Sequence, residues 1–206
     1  MSRRRIDAMS QRDIGGNLGW LGEAAILIPV KQFQAAKGRL AGTLSPARRA
    51  ELAKELATRV LHAARGIPVA VVCDDPEVAS WARELHALVI WEPGRGLNGA
   101  VEAGVRHLEE VGVARVAVVH GDLPFATDLR WICGFSGITL IPDRRYEGTN
   151  VIGLPAGCPF TFSYGPGSFS RHLAESQRLG LPRRLVHGSP LSWDVDVPTD
   201  LIALTP

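Results

Sequence analysis

The stretch AAILIPVKQFQAAKGRLAGTLSP, residues 24–46, decides how the chain is built. Ala24 to Val30 is an apolar run of strand length with no polar alternation. Strands of that kind are covered on both faces, as in the parallel sheets of α/β proteins. Lys31, Lys37 and Arg39 then punctuate a loop whose only glycines are Gly38 and Gly42. Ser45 and Pro46 supply a helix N-cap and first helical residue. Leu52, Leu56 and Val60 recur every four residues behind them, and Gly66 marks the end. A strand, a basic loop and a helix make a common phosphate site. A Walker-type loop cradles phosphate with backbone N–H groups and needs glycine to do so. This loop is short of glycine and carries three cations, so it would hold an anion by charge.

The same alternation runs on. Strands are predicted at IPVAVVC (67–73), LVIW (88–91), RVAVVH (115–120), ITLIP (138–142) and NVIGLP (150–155). Helices are predicted over Asp75–Leu85, Asn98–Glu110 and Ser168–Leu179, with closing strands near RRLVH (183–187) and WDVDV (193–197). This is an α/β pattern with a mostly parallel sheet. Ligands of such sheets bind beyond the carboxyl ends of the strands, where strand order reverses. Polar residues gather at those ends: Lys31–Arg39, Asp74–Asp75, Glu92–Asn98, Gly121–Pro124, Asp143–Asn150 and Asp194–Asp200.

The chain has 206 residues, which suits a single domain over residues 23–206 behind a flexible, basic tail of residues 1–22. A net charge of +2 argues for neither nucleic acid nor a membrane surface. No apolar run approaches the roughly 18–20 residues of a membrane span. Cys73, Cys133 and Cys158 are scattered, with no zinc or disulfide spacing, which fits a reducing cytoplasm.

Two motifs carry metal chemistry. VAVVHGDLP (116–124) ends a buried strand on Asp122. WDVDVPTD (193–200) holds Asp194 and Asp196 two residues apart, on one face of a strand at roughly 6–7 Å. Two like charges there repel by about 2–3 kcal/mol at an effective dielectric near 20, unless a cation relieves them. Mg²⁺ is commonly held by one or two carboxylates plus substrate phosphates, and Asp122 with Asp196, helped by Asp194, meets that need. Asp200 reads as a capping residue. With Lys31, Lys37 and Arg39 opposite, the site is divided into cations and a carboxylate-held metal, and a polyphosphate fits between. Gly148-Thr149-Asn150 and Gly165-Pro166-Gly167-Ser168 each offer a hydroxyl and backbone donors, the second at a helix N-terminus. His120 and His172 adjoin these motifs and read as structural. No spacing of Ser, Cys, His and Asp points to a covalent nucleophile.

GRGLNG (94–99) matches the dinucleotide fingerprint G-x-G-x-x-G. An NAD(P)-dependent oxidoreductase is therefore a rival reading. The motif, however, follows the third strand with Pro93 between, and leaves Lys31, Asp122 and the C-terminal acids without a role. A non-catalytic GTP-binding regulator is a further alternative.

IPVK…AKGRL…LSPARRAELA, GLNGAVEAG, GDLP, PDRRYEGTN, FSYGPGSFSRHLAE and DVDVPTDL occur in this order from about Ile26 onward. Together they resemble the phospholactate/phosphoenolpyruvate guanylyltransferases that make the deazaflavin coenzyme F420. The resemblance implies a three-layer, Rossmann-like nucleotidyltransferase fold with a mostly parallel mixed sheet, like the molybdopterin guanylyltransferases. It implies Lys31, Lys37 and Arg39 on the triphosphate of GTP, and Asn98 with Gly99 near the guanine. Mg²⁺ falls to Asp122 with Asp194 or Asp196, and the phosphorylated acid to Thr149, Asn150, Gly165 and Ser168. Lys31, Lys37, Arg39 and Asp122 then form the catalytic set. The expected acceptor is phosphoenolpyruvate, by association with relatives of this kind rather than from any residue, with 2-phospho-L-lactate or 3-phosphoglycerate as alternatives, and a downstream deazaflavin transferase would take the product. A homodimer is allowed for. Gly38 stands where Ser or Thr is common before the Arg-Leu pair.

Overall fold

The computed structural model describes residues 22–204, so the segment predicted as a tail lies almost wholly outside it. Strands β1 (Ala24–Pro29), β2 (Val69–Cys73), β3 (Leu88–Trp91), β4 (Arg115–Val119), β5 (Ile138–Pro142), β6 (Thr149–Pro155) and β7 (Arg183–Leu185) form one seven-stranded sheet. Its order is β3-β2-β1-β4-β6-β5-β7. β1 lies between β2 and β4, parallel to both, and β6 runs antiparallel between β4 and β5. The chain winds outward from β1 to β3 and then restarts at β4 on the other side. The switch point between β1 and β4 is where a ligand crevice opens.

Alternating side chains of β1 feed two cores. Ile26 and Ile28 pack with helices α1 (Pro46–His62), α2 (Pro76–Glu84) and the short α4 (Arg130–Cys133) on one face. Ala25 and Leu27 pack with α3 (Gly96–Glu110) and α5 (Ser168–Arg178) on the other. α3 sits so close to the sheet that a Cβ on Gly104 would come within 2.8 Å of Leu27, which only glycine avoids. The helix starts follow their caps. Ser45 Oγ accepts from Arg48 N at 3.3 Å, and Asp75 accepts from the N–H groups of Glu77 and Val78.

One helix was not predicted, and one predicted strand is absent. Helix α4 had no sequence signal, since four residues are too few to show a period. WDVDV is not a strand. It runs extended between 3₁₀ turns at Pro190–Ser192 and Pro198–Leu204 and satisfies its backbone without a neighbouring strand. Val195 N donates to the Asp122 carbonyl at 3.3 Å. The N–H groups of Asp196 and Val197 donate to Asp200 Oδ2 at 2.8 and 2.9 Å.

Candidate active site

A cleft of about 880 Å³ opens beyond the carboxyl ends of β1, β2 and β4. Lys31, Lys37, Arg39, Asp122 and Asp196 all line it. Gly96, Leu97 and Ala100 of α3 form its far wall, with Asp74 and Glu92 on the rim. A second concavity of about 840 Å³, along α1, holds none of the predicted site residues.

After β1 the chain makes two 3₁₀ turns, Phe33–Ala35 and Gly38–Leu40, and Phe33 and Leu40 anchor them in the core. Lys37, between the turns, has φ +55°, a left-handed backbone that a non-glycine residue adopts at a cost. That geometry buries its side chain to 7% exposure and delivers Nζ to Asp122 Oδ2 at 2.6 Å, with Asp196 Oδ1 at 3.9 Å. Arg39 Nη1 reaches Asp196 Oδ2 at 3.0 Å from an exposed position. Lys31 lines the cleft without an ion pair among the described residues.

Burial works against charge on Asp122, but the Lys37 ammonium beside it, with His120, holds the carboxyl below its ordinary range. Asp194 behaves oppositely. Burial first, then the charges of Asp122 and Asp196, push it up to about 6. Asp122 Oδ1 and Asp194 Oδ1 are buried without a hydrogen-bond partner. Burial also pushes the His120 imidazole below its usual value, and its Nε2 is likewise unpartnered.

Asp200, 1% exposed, is the residue that shapes the Asp194–Asp196 segment. Besides its two backbone bonds it pairs with Arg144 and Arg145 from the β5–β6 loop. Its capping reading holds, and the two arginines are partners the sequence did not reveal. Arg144 also lies over the Trp193 ring, 4.5 Å from its centroid.

None of the residues predicted for the acceptor lines the cleft: Thr149 and the Gly165–Ser168 turn lie on the α5 side of β6, while the Asn150 side chain reaches Leu191 of the other core. Thr149 is 1% exposed, and its Oγ1 meets His172 Nδ1 at 2.9 Å. Asn150 Nδ2 donates to the Leu191 carbonyl at 3.0 Å, tying β6 to the turn before Asp194. Gly165 and Gly167 have φ of +123° and +71°, and the second opens α5 at Ser168. The approach to this turn, residues 161–164, belongs to no strand, so side chains satisfy its backbone. Thr161 N donates to Glu175 Oε1 and Ser163 N to His172 Nε2, both at 2.9 Å.

Asn98 completes that harness. Its Oδ1 accepts from Tyr164 N at 2.7 Å and its Nδ2 donates to Tyr164 O at 3.4 Å. The amide predicted near guanine is thus committed to the backbone just before Gly165, and the neighbouring Gly96 and Leu97 face the cleft. No sequence signal marks such a partner, 66 residues away.

A switch-point cleft with cations on β1's loop and carboxylates beyond β4 is the frame of a Rossmann-like nucleotidyltransferase, and solved structures of that class share this fold. A nucleotidyl transferase from Methanothermobacter superposes with a TM-score of 0.60 at 15% identity, covering 88% of this chain and 94% of its own. 2-C-methyl-D-erythritol 4-phosphate cytidylyltransferase from Thermus thermophilus gives 0.52 at 17% identity, over 87% and 95%. The chain belongs to the CofC-like guanylyl transferase family, whose model matches residues 24–205. Phosphoenolpyruvate guanylyltransferase of Rubrobacter xylanophilus is 35% identical over 86% of this chain and 91% of its own length. Its counterpart in Sphaerobacter thermophilus is 35% identical over 85% and 89%. Membership removes the oxidoreductase and regulator alternatives.

Proposed function

We propose that the protein transfers GMP from GTP to the phosphate of phosphoenolpyruvate, releasing pyrophosphate, as a step toward coenzyme F420. The observation that carries the reading is the cleft itself, where Lys31, Lys37 and Arg39 face Asp122 and Asp196 at the switch point of a guanylyl transferase fold.

One oxygen of the acceptor phosphate attacks the α-phosphorus of GTP in line. The bond from that phosphorus to the bridging oxygen breaks, and pyrophosphate leaves with the electron pair. A phosphate monoester has a second pKa of about 6, so the nucleophile is already ionised and needs no general base. The obstacle is the meeting of two polyanions. Lys31, Lys37 and Arg39 neutralise and orient the triphosphate, which is where positioning and electrostatics act. Thr149, Gly165 and Ser168 hold the anionic groups of the acceptor.

The oxygen donors suit Mg²⁺. Among the described residues no group of three or more His, Cys, Asp or Glu forms a ready-made ligand set. Asp122 and Asp194 nevertheless each bury an oxygen with no partner, and a hard cation completed by substrate phosphates takes such oxygens. Asp122, Asp196 and Asp194 would hold it, and when bound it neutralises phosphate charge. Three free cysteines fit a reducing, cytoplasmic setting.

The test incubates GTP and Mg²⁺ with phosphoenolpyruvate, 2-phospho-L-lactate or 3-phosphoglycerate and traps the product with the deazaflavin transferase. Phosphoenolpyruvate is expected to give the highest kcat/KM. Faster turnover of another acid replaces the acceptor in this reading.

A further inference from the structure

Thr149 does not sit where an uninterrupted strand would put it. Ile141 of β5 pairs with Val151, but the next residue, Pro142, pairs with Thr149. β6 therefore carries one extra residue, Asn150, and such a bulge re-aims the side chains beside it. In a regular strand Thr149 would share the face of Val151, which packs with the α1–α2 core. Instead its hydroxyl meets His172 of α5 on the opposite face. The register of β6 against β4 runs through Val119 and Val151 and the bond from His120 N to Asn150 O. Extended one residue past that bond, the same register would bring Thr149 opposite Gly121, the neighbour of Asp122.

The protonation of His172 follows from its partners. Ser163 N–H is always a donor, so Nε2, 2.9 Å from it, must accept. The ring proton of the neutral imidazole is then on Nδ1 and points at Thr149 Oγ1, 2.9 Å away. Burial first, helped by Arg171 and His120, pushes the imidazole down to about 4, so it stays neutral in the ordinary working range.

We infer that His172 is a positioning residue of the acceptor site. Its Nδ1–H fills the acceptor role of the Thr149 hydroxyl, which leaves the hydroxyl hydrogen to donate to an anionic oxygen of the acceptor beside Asp122. The inference rests on the reading of Thr149 as an acceptor ligand. A buried threonine whose own hydrogen were spent inside the protein could offer an anion nothing. Here the bulge presents the side chain and a ring of fixed tautomer orients it.

Three variants and one spectrum test this. An asparagine amide nitrogen takes the place of histidine Nδ1, and a glutamine amide takes that of Nε2. His172→Asn therefore keeps the bond to Thr149, and His172→Gln keeps only the bond from Ser163. At saturating GTP and Mg²⁺, Thr149→Val and His172→Gln should each raise KM for phosphoenolpyruvate about tenfold or more, as for a lost bond to a charged group. KM for GTP should stay within about twofold, and His172→Asn should stay near wild type for both substrates. In wild-type protein, long-range ¹H–¹⁵N spectra should show His172 protonated on Nδ1, with a signal that moves when phosphoenolpyruvate joins GTP and Mg²⁺. A proton on Nε2 overturns the inference, as does an unchanged KM in His172→Gln when Thr149→Val raises it. An unchanged KM in Thr149→Val with the Nδ1 tautomer present removes the acceptor role of Thr149, and the inference with it.

Discussion

Lys37 Nζ lies 2.6 Å from Asp122 Oδ2, so two residues 85 positions apart neutralise each other at the mouth of the cleft. The lysine is the candidate partner of the triphosphate, and the aspartate the candidate ligand of a divalent cation. The pair keeps a partly buried carboxylate charged: burial alone would raise its pKa, and the ammonium reverses the sign. Binding of metal and nucleotide would exchange partners, the cation replacing lysine on Asp122 as lysine turns to phosphate.

Lys37→Met should therefore act in two directions. kcat/KM for GTP should fall about a hundredfold, as for loss of one electrostatic donor at a reacting centre. Mn²⁺ affinity measured without nucleotide should rise, because the competing cation has gone. Calorimetry with Mn²⁺ checks it, and weaker binding would contradict the exchange.

Asp194→Asn should stabilise the protein and impair it. The folded carboxyl, raised to about 6, binds a proton more tightly than the unfolded one. Its protonated form favours folding at low pH, and stability falls as pH rises toward 6. Above that value the buried charge is a full penalty, which asparagine removes. Thermal melts at pH 7.5 should show a higher Tm for the variant without metal and a smaller gain on adding Mg²⁺ than wild type shows.

Asn98→Ala should loosen the acceptor turn rather than the guanine wall. It leaves Tyr164 N and O without the bonds that Asn98 makes. Stability should drop by about 1–2 kcal/mol in urea titration, and KM for phosphoenolpyruvate should rise more than KM for GTP.

Asp200→Ala should cost about 3 kcal/mol, the scale for stripping one partner from a buried ion pair. It frees the N–H groups of Asp196 and Val197 and strands Arg144 and Arg145. Turnover should fall with Mg²⁺ affinity, which Mg²⁺-dependent rate curves would show.

Local signals in the chain were readable and distant ones were not. Continuous apolar strands, the Ser45 and Asp75 caps and the polar strand ends follow from periods of a few residues, and they placed Lys31, Lys37, Arg39, Asp122 and Asp196 in one cleft. WDVDV alternates like a strand, yet its partners are a carbonyl and a carboxylate, and no pattern in the sequence shows that. The bulge at Asn150 depends on register against β5, and the clasp of Asn98 on a loop far along the chain. His172 read as structural because a lone histidine on a helix carries no sign of what its two nitrogens face.

Transfer of GMP to a phosphorylated acid at the cleft shared by Lys37, Asp122 and Asp196 makes pyrophosphate release depend on that acid. Its most direct test is the rate of pyrophosphate release from GTP and Mg²⁺, with and without phosphoenolpyruvate, in wild type and in Asp122→Asn. Release is expected from the wild type only when the acid is present, and none from folded Asp122→Asn. Release that ignores the acid, or an Asp122→Asn rate equal to wild type, would contradict it.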